Sequence, residues 1–261
     1  MDFIISAKTD IGMTRKTNQD SLCLKKLQTS RGIFVFAVLC DGLGGYEKGE
    51  AASASVVRSF DRWAMQKLPC LCSRGFTDSD IQSEWESIVR KQNRLLKCYG
   101  EKRNIRIGTT AAVLLLTQER FYICNVGDTR IYMIKHAVRQ LTTDQTLVNR
   151  EVLSGKITDR QAQTDPRRNI LLQCVGVSDE LKPEMIVGNV QTDAVYMLCT
   201  DGFCRKIGEE EMYDCFDPDK LSDFETMSRS AQYLTELNKR RGEQDNITVA
   251  LIRTCREKTL C

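Results

Sequence analysis

Residues 36–45 read FAVLCDGLGG, an apolar run that stops at Asp41 and passes at once into glycine. The run reaches back to Ile33, and its β-branched and aromatic residues suit a strand buried on both faces. Its end has two readings. Asp-Gly is a common surface turn. A cation site that needs a carboxylate beside a bare backbone carbonyl gives the same letters.

Strand-like stretches of the same kind dominate the chain: 3–7, 21–27 and 33–40, then 109–116, 121–126, 131–134 and 138–141, then 184–190, 195–199 and 247–252. Two long helices are expected between the first and second groups. In 50–68, Val56, Val57, Phe60, Trp63, Ala64 and Leu68 recur at helical spacing, and in 78–99 Ile81, Trp85, Ile88, Leu95, Leu96 and Tyr99 do the same, with Thr77 as N-cap. A third helix is expected over 223–241, opened by a capping box of Ser222 and Glu225 and ended by Gly242. Strands in blocks and helices in blocks, without βαβ alternation, predict an α+β fold of antiparallel sheets covered by helices. With no repeat or linker, a single domain over 1–253 with a short tail, 254–261, is expected. Two short helices, 144–154 ended by Gly155 and 158–164 opened by a Thr158/Gln161 capping box, interrupt the strand series as a flap over about 144–169.

Composition narrows the function classes. The 261 residues are 41% hydrophobic and 28% charged, ordinary for a globular protein with a sizeable core. A net charge of +3 and no long basic run argue against nucleic-acid or membrane partners; Arg167 and Arg168, and Lys239 to Arg241, read as solvated faces. No signal peptide is expected at the N-terminus, and the longest apolar run, 33–40, is too short to cross a bilayer. The 12 cysteines form no zinc spacing, and Cys40, Cys124 and Cys199 end apolar runs as small buried hydrophobes do. Free thiols in a reducing cytoplasm are expected.

The DG of Asp41 and Gly42 has company. VYMLCTDG (195–202) ends another strand at Asp201, FYICNVGD (121–128) ends one at Asp128, and EQDNITVALI (243–252) puts Asp245 before the last strand. Each alone is more often a turn than a ligand. In antiparallel sheets, however, one strand's end lies beside its neighbour's start, so the four can meet on one rim. Gathered carboxylates repel, and a divalent cation is the usual compensation. Oxygen donors select magnesium or manganese rather than zinc. The single histidine, His136, sits at an expected hairpin tip, which leaves a Ser-His-Asp or Cys-His mechanism without its base.

The ordered set TDIGMTRKTNQDS (9–21), DGLGGYEKGE (41–50), GTTAAVLLL (108–116), CNVGDTRIYMI (124–134), LTTDQTLVNREVLSGKIT (141–158), RRNILLQCVG (167–176), LCTDGF (198–203) and QDNITVALI (244–252) resembles the metal-dependent serine/threonine protein phosphatases of type 2C (PPM), especially the compact bacterial members. The resemblance spans residues 7–253. It implies a sandwich of two antiparallel β-sheets flanked by helices, with two Mn2+ or Mg2+ ions at one rim. It implies that Asp41 bridges both ions, the Gly42 carbonyl binds one of them, Asp201 and Asp245 hold the other, and Asp128 with Asp201 holds a third. Arg15 matches an arginine that grips substrate phosphate, and Asp20 a carboxylate that orders metal-bound water. Gly44 and Gly45 would turn the chain out of the site. The reaction implied is hydrolysis of phosphoserine or phosphothreonine in proteins by a metal-bridging hydroxide, by a monomer opposing a Ser/Thr kinase. A catalytically silent binding module of the same fold, or a phosphatase for another phosphoester, is the alternative. Four positions depart from the family pattern: Leu43 stands where a histidine general acid is found in some members, Gln19 where many have glutamate, and Gln145 and Asp165 where bacterial relatives often have histidine. The last two are expected to affect surface recognition.

Overall fold

A computed structural model of the protein describes residues 1–43 and 48–256. In chain order these form β1 (Asp2–Asp10), β2 (Asp20–Thr29), β3 (Gly32–Asp41), α1 (Gly49–Gln66), α2 (Leu68–Arg74), α3 (Asp78–Arg103), β4 (Ala111–Leu116), β5 (Arg120–Val126), β6 (Arg130–Ile134), β7 (Val138–Gln140), α4 (Leu147–Leu153), α5 (Asp159–Thr164), β8 (Glu184–Asn189), β9 (Ala194–Cys199), α6 (Asp201–Cys204), α7 (Glu209–Phe216), α8 (Phe224–Arg240) and β10 (Ile247–Cys255). The strands make two antiparallel five-stranded sheets, ordered β1-β10-β9-β6-β7 and β2-β3-β4-β5-β8.

The apolar run in β3 shows why the sheets stack. Successive side chains point to opposite faces. Val35, Ala37 and Leu39 enter the layer between the sheets, against Tyr196, Leu198, Ala250 and Ile252. Phe34, Phe36, Val38 and Cys40 face the other way, into a layer closed by Val56, Phe60, Trp63, Ile81 and Trp85 of α1 and α3. Trp63 and Trp85 meet edge to face with ring centroids 5.5 Å apart. Burial of each such aromatic is worth roughly 2–3 kcal/mol. On the far side, α7 and α8 cover the first sheet through Met212, Phe216, Met227 and Leu234.

All ten expected strands are present, with ends shifted by a residue or two, except that β1 and β10 each run three residues further at the C-terminal end. β10 therefore passes the expected domain boundary at 253. The helices depart more. The expected helix 50–68 divides, because Pro69, which lacks an N–H, starts α2 in its first turn. The N-cap of α8 is Asp223, whose carboxylate accepts the Thr226 N–H at 2.8 Å. Ser222, expected to cap, donates its hydroxyl to Asp223 instead. The helices α6 and α7 were not expected. The two flap helices α4 and α5 are, with Thr158 and Gln161 forming the expected box. Gly44 and Gly45 lie outside the described residues.

Candidate metal centre

Strand register gathers the acids. Asp20 pairs with Asp41 across β2 and β3. In the other sheet Cys199 pairs with both Val249 and Arg130. Asp201 just beyond β9, Asp245 just before β10 and Asp128 just before β6 therefore share one end of that sheet. The same end of the sandwich opens into a cavity of about 600 Å3 lined by Arg15, Asp41, Asp128, Asp201 and Asp245.

Each carboxylate is held by its own backbone and neighbours. The Asp41 N–H donates to Thr110 Oγ1 at 2.9 Å, and its carbonyl accepts from the Thr110 N–H and the Thr109 hydroxyl. Asp20 Oδ2 accepts from Thr248 Oγ1 at 2.6 Å and Thr200 Oγ1 at 3.3 Å. Its Oδ1, like Oδ1 of Asp201, is buried with no partner. Glycines allow the loops to close on one another. A Cβ on Gly42 would lie 2.4 Å from the Gly49 carbonyl oxygen, and one on Gly202 would lie 2.1 Å from that of Asn246. Gly42 is thus required by the first turn of α1 pressing on it, whatever its carbonyl binds.

Burial is the largest influence on these acids. It pushes Asp20 up to about 7, with repulsion from Asp201 and Asp245 adding to it. Burial likewise raises Asp41 and Asp128 well above the ordinary carboxylate range, and raises Asp201 against the opposing pull of Arg205. Such a cluster asks for positive charge.

Arginines supply part of it. Arg15 forms a two-pronged pair with Asp245, Nε to Oδ1 and Nη2 to Oδ2, both 2.9 Å. Arg205 donates to Asp201 Oδ2 and, at 3.2 Å, to Glu243 Oε1. Glu243 is 2% exposed and also accepts the N–H groups of Gln244 and Asp245. As placed, no three acidic, cysteine or histidine side chains among the described residues surround a single ion position; Asp245 and Asp201 are engaged by guanidinium groups instead. The donors themselves suit hard divalent cations: carboxylates, partnerless buried oxygens and a backbone too close-packed for a side chain.

Comparison with known proteins agrees with this architecture. A family model described as protein phosphatase 2C matches residues 14–251. The chain belongs to the protein phosphatase 2C family. It is similar to the serine/threonine phosphatase Stp of Listeria monocytogenes, 32% identical over 94% of this chain and 93% of the relative. Among solved structures, the Streptococcus agalactiae serine/threonine phosphatase superposes with a TM-score of 0.78 at 27% identity, covering 97% of this chain and all of the other. The catalytic domain of Mycobacterium tuberculosis PstP, solved in complex with two manganese ions, gives 0.75 at 25% identity, covering 98% of this chain and 100% of that one.

Within this 2C phosphatase fold the departures find their places. Leu43 lines the cavity. Gln19 reaches Glu50 at 3.5 Å, and its carbonyl accepts the Gly42 N–H and the Ser53 hydroxyl. Asp165 pairs with Arg167 at the flap surface. Gln145, expected to affect surface recognition, is half-buried and takes a structural part at the flap root. Its Oε1 accepts the Gly127 N–H at 2.9 Å, its own N–H donates to the Gly127 carbonyl, and its carbonyl accepts from Leu172, so it ties both ends of the flap to the turn before Asp128. Residues not singled out from the sequence also build the rim: Thr200 and Thr248 against Asp20, Arg205 between Asp201 and Glu243, and Asn246, whose side chain accepts the Gln19 N–H and donates to the Ile11 and Thr17 carbonyls. Asn246 thereby fixes the segment that carries Arg15. Position next to a DG or QDN motif was their only signal. His136 is exposed in the β6–β7 turn, as expected.

Proposed function

We propose that this protein is a metal-dependent protein phosphatase that hydrolyses phosphoserine and phosphothreonine esters, opposing a Ser/Thr protein kinase. The observation that carries the reading is the convergence of Asp20, Asp41, Asp128, Asp201 and Asp245 on one end of a 2C-family sandwich, with one buried oxygen each of Asp20, Asp201 and the neighbouring Glu243 left partnerless. Asp41, the Gly42 carbonyl, Asp201 and Asp245 are the residues that would hold two divalent cations, Mn2+ or Mg2+, with Asp128 and Asp201 available to a third. The PstP complex with two manganese ions supports a dinuclear centre. Bound divalent cations supply the Lewis acidity that makes water a nucleophile near neutral pH.

The chain's own residues do the rest. Asp20, held by two threonine hydroxyls, keeps one oxygen free to accept from a water in the site. Arg15 presents a planar two-pronged donor that fits phosphate oxygens as it fits Asp245, and it offsets charge that grows in the transition state. Leu43 carries no proton, so the departing serine or threonine oxygen takes its proton from water. Every described cysteine is a free thiol, which supports a reducing, cytoplasmic setting, and no helix among the described residues is long and apolar enough to cross a membrane.

The test is hydrolysis of phosphoserine and phosphothreonine peptides by purified protein with manganese or magnesium, and after chelation. Turnover should require the cation and fall by several orders of magnitude in Asp41→Asn with the fold retained. Undiminished hydrolysis by metal-stripped protein would sink the reading.

A further inference from the structure

A second cavity of about 600 Å3 adjoins the first and shares Arg15, Asn169, Arg205 and Asp245 with it. Its outer wall adds Arg168, from the end of the flap, and Lys206, from the turn after α6. Its charges are not balanced. The two acids that line it are already engaged, Asp245 by Arg15 and Glu243 by Arg205. Lys206 and Arg168 are both exposed and, among the described residues, neither forms an ion pair. The Arg168 guanidinium makes only a 3.4 Å hydrogen bond to the Gln163 carbonyl. Its neighbour Arg167, by contrast, is taken up by Glu151 and Asp165. Among the described residues, two cations without an ion pair thus face a polar recess next to the reaction centre.

We infer that this recess is a subsite for a second anionic group of the substrate, carried by a residue close in sequence to the phosphorylated serine or threonine. The inference rests on the phosphatase reading and deepens it by naming a substrate class. An extended peptide advances about 3.3–3.6 Å per residue, so a side chain within three positions of the phosphoresidue can enter a cavity that shares a wall with the metal centre. The shared chemistry is a carboxylate or phosphate monoester oxygen received by an ammonium and a guanidinium; Arg168 can meet either in two-pronged fashion. Lys206 and Arg168 touch no rim carboxylate and act on recognition alone.

The experiment compares manganese-dependent kcat/KM for phosphothreonine peptides with alanine, lysine, glutamate or phosphoserine at each of the three positions on either side. The glutamate and phosphoserine arms distinguish the two sources of the anion. p-Nitrophenyl phosphate, which has no flanking residue, reports the centre itself. Wild-type protein should favour an anionic flank over alanine by about three- to tenfold at one position, mostly through KM, and the preference should shrink with added salt. Lys206→Glu and Arg168→Glu should abolish or reverse the preference, the milder Lys206→Ala and Arg168→Ala should reduce it, and all four should hydrolyse p-nitrophenyl phosphate at the wild-type rate. Equal kcat/KM for alanine and anionic flanks in the wild type overturns the inference. So does a preference that survives both charge reversals. If no substrate is hydrolysed in a metal-dependent way, the phosphatase reading falls and this inference with it.

Discussion

Arg15 engages Asp245, one of the carboxylates proposed above to hold a cation. It holds Asp245 through two hydrogen bonds of 2.9 Å, and that bond raises the Arg15 pKa further. Both partners are partly exposed, 37% and 26%, so the pair is worth about 1 kcal/mol or less. Arg15→Ala should therefore do two opposite things. Manganese affinity by calorimetry should rise a few-fold, because Asp245 is freed. KM for phosphopeptide should rise by roughly tenfold or more if the proposed charge-assisted grip on phosphate is lost. Unchanged values of both make Arg15 a bystander. Arg205 and Glu243 pose a different case, since Glu243 is almost wholly enclosed. Arg205→Met leaves a buried carboxylate uncompensated and should cost about 3–5 kcal/mol in urea unfolding. The double variant Arg205→Met, Glu243→Gln should regain much of that, and a simple sum of the two single losses would show that the pair is not coupled.

At the scale of elements, the flap is tied to the centre through Gln145. Its side-chain oxygen serves the buried Gly127 N–H, and its main chain bridges Gly127 to Leu172. Gly127 takes φ 103°, and a Cβ there would meet Thr110 at 2.6 Å, so the turn that aims Asp128 is tightly specified. Gln145→Ala orphans a buried N–H and should cost about 1–3 kcal/mol. If the flap root positions Asp128, phosphopeptide turnover should fall further than in a control variant destabilised equally in the core, while p-nitrophenyl phosphate hydrolysis changes less. Equal losses in variant and control would reduce Gln145 to a stabilising brace. Why α1 begins where it does is also an element-scale matter: Gly42 packs against the Gly49 backbone with no room for a methyl group, while one on Gly49 would first meet the movable Gln19 side chain at 2.7 Å.

For the whole molecule, the rim is a stability cost until cations arrive. The Asp20 carboxyl is raised from 3.8 to about 7, and Asp41, Asp128 and Asp201 shift the same way, chiefly through burial. Between those two values the folded state keeps a proton on Asp20 that the unfolded chain has lost. Stability must then fall as pH rises through that window. Chelated protein should melt at a higher temperature at pH 5 than at pH 7.5, and millimolar manganese should remove most of the difference. A melting temperature that is flat with pH in chelator, or a slope that manganese leaves untouched, contradicts this account.

The sequence by itself determined the strands and the helical cover of this 2C-family phosphatase, because those depend on period and on local apolar content. The β-branched and aromatic run 33–40 suits a doubly buried strand, and strand ends at Asp41, Asp128 and Asp201 were visible because each apolar run breaks at the acid or just before it. Local competition was harder to read. Asp223 outcompeted Ser222 for the cap of α8, and Pro69 split a helix whose apolar pattern ran through it. The tertiary structure alone decided which cations face which acids. Arg15 meets Asp245 across 230 positions of chain, and Arg205 meets Glu243 across 38. Such pairings depend on sheet register and on loops packed against one another, such as Gly202 under the Asn246 carbonyl, and no local period encodes them. Charge balance at the rim is a property of that packing, so the carboxylates could be found in the sequence while their counter-ions, and the two cations beside them that form no ion pair among the described residues, could not.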